Sequence, residues 1–393
     1  MIFLTDVLIL AAWSFYNHYS FWQSFWFVTL ICVFLYSMRV YDRKQNRFLN
    51  QLLRSAAAFI LSITVYLVFK PIFDYNFSWK FGLSNLLFCL FVLVPFRTTV
   101  LRALRFKKQK YYLVCQDSVN LSFLKELQEE SPTVTIERIQ NLPKGSRKVL
   151  FESEETMKLF DGKLSQPPLL PKFVEKELKR IPVELIEAYP NYYKQAFKKK
   201  QDKITKRILD IIVAVLALVI LSPVIFVTAI AIYFEDGKPI IFKQTRVGKD
   251  GKEFTVYKFR SMRDAPALAP RFADQEEDRI TKVGRFIRKR RIDEIPQFVN
   301  VLRGDMSIVG PRPEQPNFHK DLSEKIPFFN YRLMVKPGIT GWAQVNYKYT
   351  SNLEEYKKKI EYDLWYVKNG GIWTDIKIIL YTLETIIFGK GAL

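Results

Sequence analysis

The sequence predicts three successive parts: an α-helical membrane domain at residues 1–106, a small α/β unit with a basic linker at 107–200, and a second α/β domain at 201–393. Three observations support this order. Four apolar runs lie in the first part, and strand and helix patterns alternate in the second. A long uncharged run, interrupted by Ser222-Pro223, opens the third. A length of 393 residues suits several domains, since a domain usually has about 100–200 residues.

The composition narrows the possible functions. The chain has 60 lysines and arginines against 39 acidic residues, a net charge of +21, which indicates an anionic partner such as nucleic acid, lipid headgroups or a phosphorylated substrate. The hydrophobic share of 49% excludes disorder of the whole chain. Cys32, Cys89 and Cys115 lie too far apart for a disulfide framework or a CxxC site. Two histidines, His18 and His319, exclude a histidine-cluster zinc site.

Four apolar runs predict four transmembrane helices in the first part. The runs are Ile2–Tyr16, Phe21–Met38, Ser55–Phe69 and Phe81–Phe96. Basic residues are concentrated after the second and fourth runs, so the positive-inside rule predicts two helical hairpins with both ends cytoplasmic. A cleaved signal peptide followed by buried core helices is the alternative. It lacks support, because neither a basic segment nor a small-residue cleavage site precedes Trp13.

Short strands and a helix alternate in the second part, which predicts a parallel sheet. The predicted strands are Tyr111–Cys115, Thr133–Ile139 and Lys148–Glu152, and the helix is Ser122–Glu130. A dinucleotide site would need GxGxxG after the first strand, where the sequence reads QDSVN. We therefore expect a regulatory or assembly role for this unit, which a basic linker, Lys194–Lys206, follows.

The uncharged run Ile211–Phe234 is long enough to span a membrane, but Ser222 and Pro223 interrupt it. Proline removes a helical hydrogen bond there, and the serine hydroxyl can bond to a freed backbone group. Basic residues flank both ends, which favours a segment that enters the membrane, breaks and returns. The alternative is a kinked fifth span that places the following residues outside.

Residues whose side chains can take part in catalysis or ligand binding are concentrated between positions 243 and 363. The run Arg279–Arg291 contains seven basic residues with apolar ones interleaved, which predicts an amphipathic helix at a membrane surface that can also supply phosphate ligands. Asp293 and Glu294 follow, and Pro296 predicts that they begin a helix reaching about Leu302. One acid can attack phosphorus while the other binds a metal. An ordinary helix cap with a solvated face is the alternative.

Other cationic candidates lie near strands and prolines. Arg312 stands between two prolines that restrict the backbone, which suits bidentate phosphate binding, although a stiff turn with an exposed arginine is the alternative. Gln244–Gly248 and Tyr257–Met262 are interpreted as strand segments that carry cations, and the second contains Lys258 and Arg260.

The segment Pro337–Gln344 combines two glycines with an aromatic ring and an amide. Thr340 and Gln344 are its polar candidates. The segment can hold a base or a sugar ring, or it can simply be a turn with a buried Trp342.

Together these segments resemble the bacterial sugar transferase family, the polyprenyl-phosphate hexose-1-phosphate transferases. The resemblance covers about half of the chain, from Lys206 onward. Its ordered motifs are KRILD, the Ser-Pro break, QTRVG, YKFRSM, DEIPQ, GDMSIVGPRP, KPGITGWAQVN and YDLWY. The first two parts resemble those of the long monotopic phosphoglycosyltransferases of exopolysaccharide and O-antigen biosynthesis. That likeness implies a Rossmann-like, non-catalytic middle unit and an α/β catalytic domain with a re-entrant membrane helix, here residues 208–234.

The resemblance implies a reaction and roles for residues. Sugar-1-phosphate passes from a cytoplasmic UDP-sugar to polyprenyl (undecaprenyl) phosphate, and UMP is released. Asp293 is then the nucleophile that forms an aspartyl-phosphosugar intermediate, Glu294 helps to bind Mg²⁺, and Arg288 and Arg312 contact phosphate. The remaining candidates are Lys258, Arg260, Thr340, Gln344 and Asp363 for substrate binding, and Asp305 for the metal.

The expected location is the bacterial inner membrane, as a multi-pass protein with its catalytic domain on the cytoplasmic face. The expected partners are the UDP-sugar, the polyprenyl phosphate and the lipid bilayer, in which the amphipathic Ile372–Phe388 can lie at the interface. A homodimer is left open. Many family members continue QVN with Gly-Arg, whereas Tyr347-Lys348 stands here, which leaves the sugar open.

Two other classes of function compete with this enzyme. One is a non-catalytic scaffold for polysaccharide assembly, against which the intact DE, GDMS and PRP elements argue. The other is a nucleic-acid binder that uses Arg279–Arg291. It has no recognised nucleic-acid motif and has carboxylates nearby, so nucleic acid is not an expected partner.

Overall fold

A computed structural model describes twelve stretches of the chain: residues 2–16, 21–42, 47–73, 79–105, 109–114, 123–131, 134–139, 149–151, 169–198, 204–263, 279–347 and 352–388. They form two compact units. The first contains residues 1–109 with Leu380–Glu384, and the second contains residues 110–379 with 385–393. The predicted boundary at residue 200 lies inside the second unit.

The first unit is helical. Its helices are α1 (Ile2–Tyr16), α2 (Phe21–Ser37), α3 (Phe48–Phe73), α4 (Trp79–Phe88) and α5 (Val94–Arg105), with a π-helical turn, Cys89–Leu93, joining the last two. Within the described residues, two apolar stretches are long enough to cross a membrane, Phe48–Val68 and Gly82–Ala103. Apolar stretches in α1 and α2 are shorter. These apolar helices indicate a membrane protein, and the full set of four spans stays a prediction.

A buried ion pair holds the first unit together across three helices. Arg97 of α5 lies 2.9 Å from Asp6 of α1, and both side chains are fully buried. Arg97 also donates to the Ser55 hydroxyl of α3, and the Tyr41 hydroxyl donates to Asp6. A charged group is costly in an apolar interior unless it is paired, so this network explains how Asp6 is accommodated in an apolar run.

The second unit begins with a small sheet. Its strands are β1 (Gln109–Val114), β2 (Val134–Ile139) and β3 (Val149–Phe151), in the order β2-β1-β3. β1 and β3 are parallel, and helix α6 (Phe123–Glu130) packs beside β2. The three predicted strands and the helix are therefore confirmed. The predicted QDSVN turn lies outside the described residues, and the Rossmann-like assignment stays a prediction.

Three short helices follow that the sequence patterns did not predict: α7 (Leu170–Leu178), α8 (Val183–Ala188) and α9 (Pro190–Ala196). Their apolar side chains share one core with helix α16 (Leu353–Asn369). The predicted basic linker is consequently shorter than expected, because Lys194 belongs to α9 and Lys206 to the next helix. Its central residues, 199–203, lie outside the described part.

The uncharged run forms two helices, α10 (Ile204–Ile220) and α11 (Ser222–Asp236), which are bent by 60° at Leu221. The Ser222 hydroxyl donates to the carbonyl of Val219 at 2.8 Å, and Pro223 lies in the first turn of α11. The break at Ser-Pro is therefore confirmed. A bent pair fits both a broken span and a re-entrant segment, so the predicted re-entry stays a prediction.

The remaining described elements lie before and after the acidic pair in the sequence. In chain order they are β4 (Ile241–Val247), β5 (Glu253–Phe259), α12 (Lys282–Lys289), α13 (Gln297–Arg303), β6 (Ser307–Val309), α14 (Pro316–Lys325), β7 (Gly338–Thr340), α15 (Trp342–Asn346) and α17 (Ile372–Ile387). β4 and β5 form an antiparallel hairpin, and β6 and β7 pair in parallel.

Candidate active site

Asp293 and Glu294 lie in a 3-10 turn, Ile292–Glu294, before helix α13. The sequence predicted them at the start of that helix. The difference arises because Pro296 has no N–H to donate to the carbonyl of Ile292, and Ile295 donates to it instead. Both carboxylates are buried, with 8% and 7% of the residue exposed. The turn therefore places two acidic side chains in the protein interior.

The predicted basic helix is also shorter than expected, since α12 covers only Lys282–Lys289. Thr281 caps it by accepting from the amide of Gly284 at 2.8 Å, so the helix cannot extend back to Arg279. Glu235, near the end of α11, accepts from the amides of Lys282 and Val283. These bonds fix the start of the helix that leads into the acidic pair.

Glu294 is surrounded by cations. Its Oε1 accepts from Arg312 Nη2 at 2.7 Å and from Lys258 Nζ at 3.2 Å, and its Oε2 lies 3.7 Å from Arg291 Nη1. Burial alone would raise the pKa of Glu294, but the charges of Arg312, Lys258 and Arg291 outweigh it and lower the pKa well below its usual range. Glu294 is thus ionised at any ordinary pH.

Asp293 behaves in the opposite way. Burial and the adjacent charge of Glu294 raise its pKa to about 6, although Lys258, Arg312 and Arg288 act in the other direction. Two neighbouring carboxylates whose pKa values are driven apart are typical of sites where acids have different roles. The structure thus brings three predicted cations, Lys258, Arg288 and Arg312, to the two predicted acids.

Arg312 is presented by a loop between β6 and the start of α14. Its side chain is 35% exposed, so its outer face is open to a ligand while Nη2 holds Glu294. Close backbone packing positions the loop: a Cβ on Gly310 would lie 2.2 Å from the carbonyl of Lys336, and one on Gly338 would lie 2.1 Å from the amide of Gly310. Only glycine fits at these positions of β6–β7 pairing.

Two other predicted candidates lie away from the acidic pair. Arg260 pairs with Asp236 and donates to the carbonyls of Asp236 and Gly237, so its guanidinium fixes the end of α11. Asp305 is exposed and follows the C-terminal end of α13, whose length of about 10 Å separates it from Glu294. The structure does not bring Arg260 or Asp305 to the acidic pair, because sequence proximity along a motif does not imply spatial proximity.

The Pro337–Gln344 segment supports the backbone of the Arg312 loop. The carbonyl of Thr340 accepts from the amide of Gly310, and Gln344 Nε2 donates to the carbonyl of Ile339 at 3.2 Å. Trp342 is buried, its Nε1 donates to the carbonyl of Lys179, and its ring stacks on Trp365. Trp342 is thus buried, as one alternative expected, and binding of a base or sugar ring by Thr340 and Gln344 stays a prediction.

Asp363 is connected to Arg312 through Arg332. It is buried and pairs with Arg332 at 2.9 Å, and the same nitrogen of Arg332 donates to the carbonyl of Arg312 at 2.6 Å. Arg332 was not among the predicted candidates, because no local pattern marks it. Arg246 and Arg291, by contrast, lie in cationic segments that the sequence had singled out, without a role of their own.

The acidic pair fits one common way in which proteins bind a magnesium ion. Mg²⁺ is commonly held by one or two carboxylates together with phosphate oxygens of a ligand, and Asp293 and Glu294 supply that number of carboxylates. Glu294 Oε2 has its cationic neighbour at 3.7 Å, beyond hydrogen-bonding distance. Among the described residues, no group of three or more metal-binding side chains occurs. The donor set thus fits a site that a phosphate ligand completes.

Comparison with known proteins adds an independent finding. A family model described as bacterial sugar transferase matches residues 201–389. A UDP-N-acetylgalactosamine-undecaprenyl-phosphate N-acetylgalactosaminephosphotransferase of Aeromonas hydrophila is 47% identical over 188 residues, which cover 48% of this chain and 44% of that protein. A UDP-glucose:undecaprenyl-phosphate glucose-1-phosphate transferase of Escherichia coli (strain K12) is 44% identical over 195 residues, 49% of this chain and 42% of that protein.

A third relative is matched over most of its length. The uncharacterized sugar transferase EpsL of Bacillus subtilis (strain 168) is 42% identical over 188 residues, 48% of this chain and 90% of that protein. The chain thus has the α/β architecture and the cation-lined acidic pair of a transferase, and it belongs to the bacterial sugar transferase family. The predicted family is confirmed. The match spans less than half of the length of the Aeromonas and Escherichia proteins.

Proposed function

We propose that this protein is a membrane phosphoglycosyltransferase, which transfers sugar-1-phosphate from a UDP-sugar to undecaprenyl or another polyprenyl phosphate and releases UMP. The observation that carries the proposal is the buried Asp293-Glu294 pair with Arg312 and Lys258 in direct contact. The names of two relatives include a UDP-sugar donor and undecaprenyl phosphate, which supports this choice of substrates. Both substrates carry phosphate, in keeping with the net charge of +21.

The reaction proceeds in two displacements. A carboxylate oxygen of Asp293 attacks the phosphorus that bears the sugar, and the bond from that phosphorus to the bridging oxygen breaks, so that UMP leaves with the electron pair. A phosphate oxygen of the lipid then attacks the same phosphorus of the aspartyl-phosphosugar intermediate. The Asp293 carboxylate is released, and a polyprenyl diphosphate sugar is formed. No net proton is required in either displacement of a fully ionised phosphate.

Cations at the site stabilise the charge that moves in these steps. Arg312 offers its exposed face to phosphate oxygens, and Lys258 and Arg288 add positive charge near Asp293. Glu294, with Asp293 beside it, would hold Mg²⁺, which neutralises phosphate charge and orients the diphosphate when bound. The roles of Arg312 and Lys258 as phosphate ligands follow from their charge and position.

A lipid acceptor requires the site to lie at a membrane surface. We place the catalytic residues at the cytoplasmic face of the bacterial inner membrane, where the UDP-sugar is available, and assign the protein to the first membrane step of exopolysaccharide, capsule or O-antigen synthesis. The apolar α10–α11 pair supports a location at a membrane, since many of its side chains are exposed. Whether the protein forms a homodimer is tested by measuring its mass in detergent.

The test is a transfer assay with purified protein, Mg²⁺, polyprenyl phosphate and a panel of UDP-sugars, in which UMP release is measured. We expect activity with at least one donor and a loss of at least about 10³-fold in Asp293→Asn, since an amide cannot form the acyl phosphate. Asp321→Asn is the matched control, because Asp321 is an exposed acid of α14. Full turnover by Asp293→Asn would exclude it as the nucleophile, and silence with every donor would favour the scaffold.

A further inference from the structure

We propose that Arg332 is a positioning residue for Arg312, which it orients through the backbone without contact with the ligand. Its effect on catalysis rests on the proposed function, whereas its effect on the backbone does not. The relevant segment is the Pro-Arg-Pro loop, defined here as Pro311–Glu314. Arg312 is the member of this loop that reaches Glu294.

Backbone donors hold the two ends of the Pro-Arg-Pro loop. The carbonyl of Pro311 accepts from the amide of Gly338 in β7 at 2.9 Å, and the carbonyl of Glu314 accepts from the amide of Val247 in β4 at 2.9 Å. The loop is therefore fastened to two different strands. Its central carbonyls accept from side chains, because no backbone amide of either strand donates to them.

Two arginine side chains supply those donors. Arg332 Nη2 lies 2.6 Å from the carbonyl oxygen of Arg312, and Arg246 Nη1 lies 3.2 Å from that of Pro313. All four carbonyls of the loop thus accept a hydrogen bond. The bond from Arg332 is the shorter of the two, and it acts on the residue whose side chain faces the site.

The direction of the Arg312 side chain depends on how the carbonyl of Arg312 is held. Proline rings fix φ at Pro311 and Pro313, and the residue before a proline is restricted as well. The direction of the Arg312 carbonyl reflects the ψ angle of Arg312, which the following Pro313 restricts to extended values, whereas no proline ring fixes the φ angle of Arg312. A donor that holds this carbonyl therefore holds the direction in which the Arg312 side chain leaves the backbone.

Arg332 is itself anchored and shielded. It is 3% exposed, its Nη2 also contacts Asp363 of α16 at 2.9 Å, and its Nη1 lies 3.6 Å from Glu314. Lys359, on the same helix, completes the group with a 2.9 Å contact to Glu314. Burial keeps Arg332 from a ligand, and its hydrogen bond to the Arg312 carbonyl links it directly to a residue of the site. Asp363 was predicted from the sequence to bind substrate. In this proposal it instead anchors Arg332.

Hydrogen exchange measured by mass spectrometry tests the backbone effect without reference to activity. We expect Arg332→Met to speed exchange in a peptide that covers residues 307–315 of the full-length protein in detergent. Because Asp363 is left buried without its partner, the charge-matched variant Arg332→Met with Asp363→Asn guards against simple unfolding and should show the same local change. Lys325→Met, which removes an exposed pair with Asp321, is the control. Unchanged exchange at 307–315 would overturn the proposal.

A double-mutant cycle with Arg312→Met tests the effect on catalysis. We expect Arg332→Met to lower kcat/KM by roughly 10- to 100-fold, since misplacement of a positioning group by about 1 Å can cost 100-fold. In the Arg312→Met background the same change should cost nothing further. Arg332→Lys, which keeps the charge beside Asp363 with one nitrogen, should fall between Arg332→Met and the parent. Independent, additive losses would show that Arg332 acts by another route.

These two experiments separate the two possible failures. An inactive parent protein, tested with every donor, would refute the proposed function. The exchange measurement would still decide whether Arg332 holds the Pro-Arg-Pro loop.

Discussion

Asp293 and Glu294 are neighbours in sequence with opposite surroundings. Glu294 has Arg312, Lys258 and Arg291 around it, which stabilise its ionised form. Burial and the charge of Glu294 both oppose the ionisation of Asp293, and they raise its pKa to about 6. One acid therefore stays charged over the whole working range of pH, whereas the other titrates within it.

The raised pKa of Asp293 should make the activity depend on pH. As pH falls through about 6, Asp293 takes up a proton and the attacking carboxylate is lost, so we expect log(kcat/KM) to fall by one unit for each pH unit below that value. Above about pH 6 the carboxylate is ionised and the rate should level off. The measurement is UMP release between pH 5 and 8 under saturating Mg²⁺. A flat profile down to pH 5 would contradict the prediction.

Glu294→Gln provides the matched control for this profile. It removes the negative charge that disfavours ionisation of Asp293 and frees Arg312 and Lys258 to stabilise it. Whatever activity remains should therefore show its inflection at lower pH than the parent. A shift to higher pH would mean that another group controls the rate.

The sequence singled out candidate site residues where chemistry and local order coincide, and their roles stay predictions. The DE pair, Lys258 and the arginine between two prolines were all recognised, and the structure brings them together. Arg332 was missed because its role depends on a carbonyl 20 residues away. Asp305 was assigned to the metal from its motif, but a helix lies between it and Glu294.

The first two turns of helix α10 connect several parts of the second unit. Arg207 donates to the carbonyls of Val301 and Leu302 at 2.6 and 2.8 Å and so caps the C-terminal end of α13. Asp210, three residues further on, accepts from the Ser307 hydroxyl and the Ile308 amide in β6. The KRILD motif thus serves the packing of the helix that follows the acidic pair.

We predict that Arg207→Met destabilises the second unit by about 1.5–3 kcal/mol, the usual contribution of a hydrogen bond to a charged group, because the last carbonyls of α13 lose their donor. Denaturant unfolding of the protein in detergent measures the change in the free energy of unfolding. Lys320→Met, an exposed position on α14, should lie within about 0.5 kcal/mol of the parent. Equal stability of both variants would show that α13 needs no cap.

Elements were predictable from the sequence where the pattern was long or regular. Strands β1–β3, helix α6 and the break at Ser222-Pro223 were found because alternation, amphipathicity and proline act locally. Helices α7–α9 were missed, since each has only 6–9 residues and they gain their stability from packing against α16. The 3-10 turn at the acidic pair was missed for a similar reason, as it depends on one absent N–H.

For the molecule as a whole, the surplus of positive charge is partly used internally. Arg39, Arg54 and Arg97 were interpreted as loop charges that set membrane orientation. In the structure they pair with acids of the first unit, Arg97 with Asp6, and both Arg39 and Arg54 with Glu384. Glu384 is 2% exposed and belongs to Leu380–Glu384, the C-terminal segment that this unit contains.

We therefore predict that Glu384→Gln destabilises the first unit by about 3–5 kcal/mol, because the buried Arg54 and the mostly buried Arg39 lose their shared counter-charge. Thermal unfolding of the detergent-purified protein, with hydrogen exchange in α2 and α3 as the local readout, measures the effect. Glu324→Gln, at an exposed position on α14, is the control. If exchange in α2 and α3 is the same in both variants, the C-terminal segment does not stabilise the helical unit.

The cations around Glu294 have a further consequence for affinity. Without a ligand, this carboxylate already satisfies Arg312 and Lys258, so an incoming phosphate exchanges one anion for another. The gain on binding is then a difference between two similar pairings, which is far smaller than either pairing taken alone. Simple inorganic anions should compete poorly at this site, and selectivity falls to the parts of a ligand that a carboxylate cannot imitate.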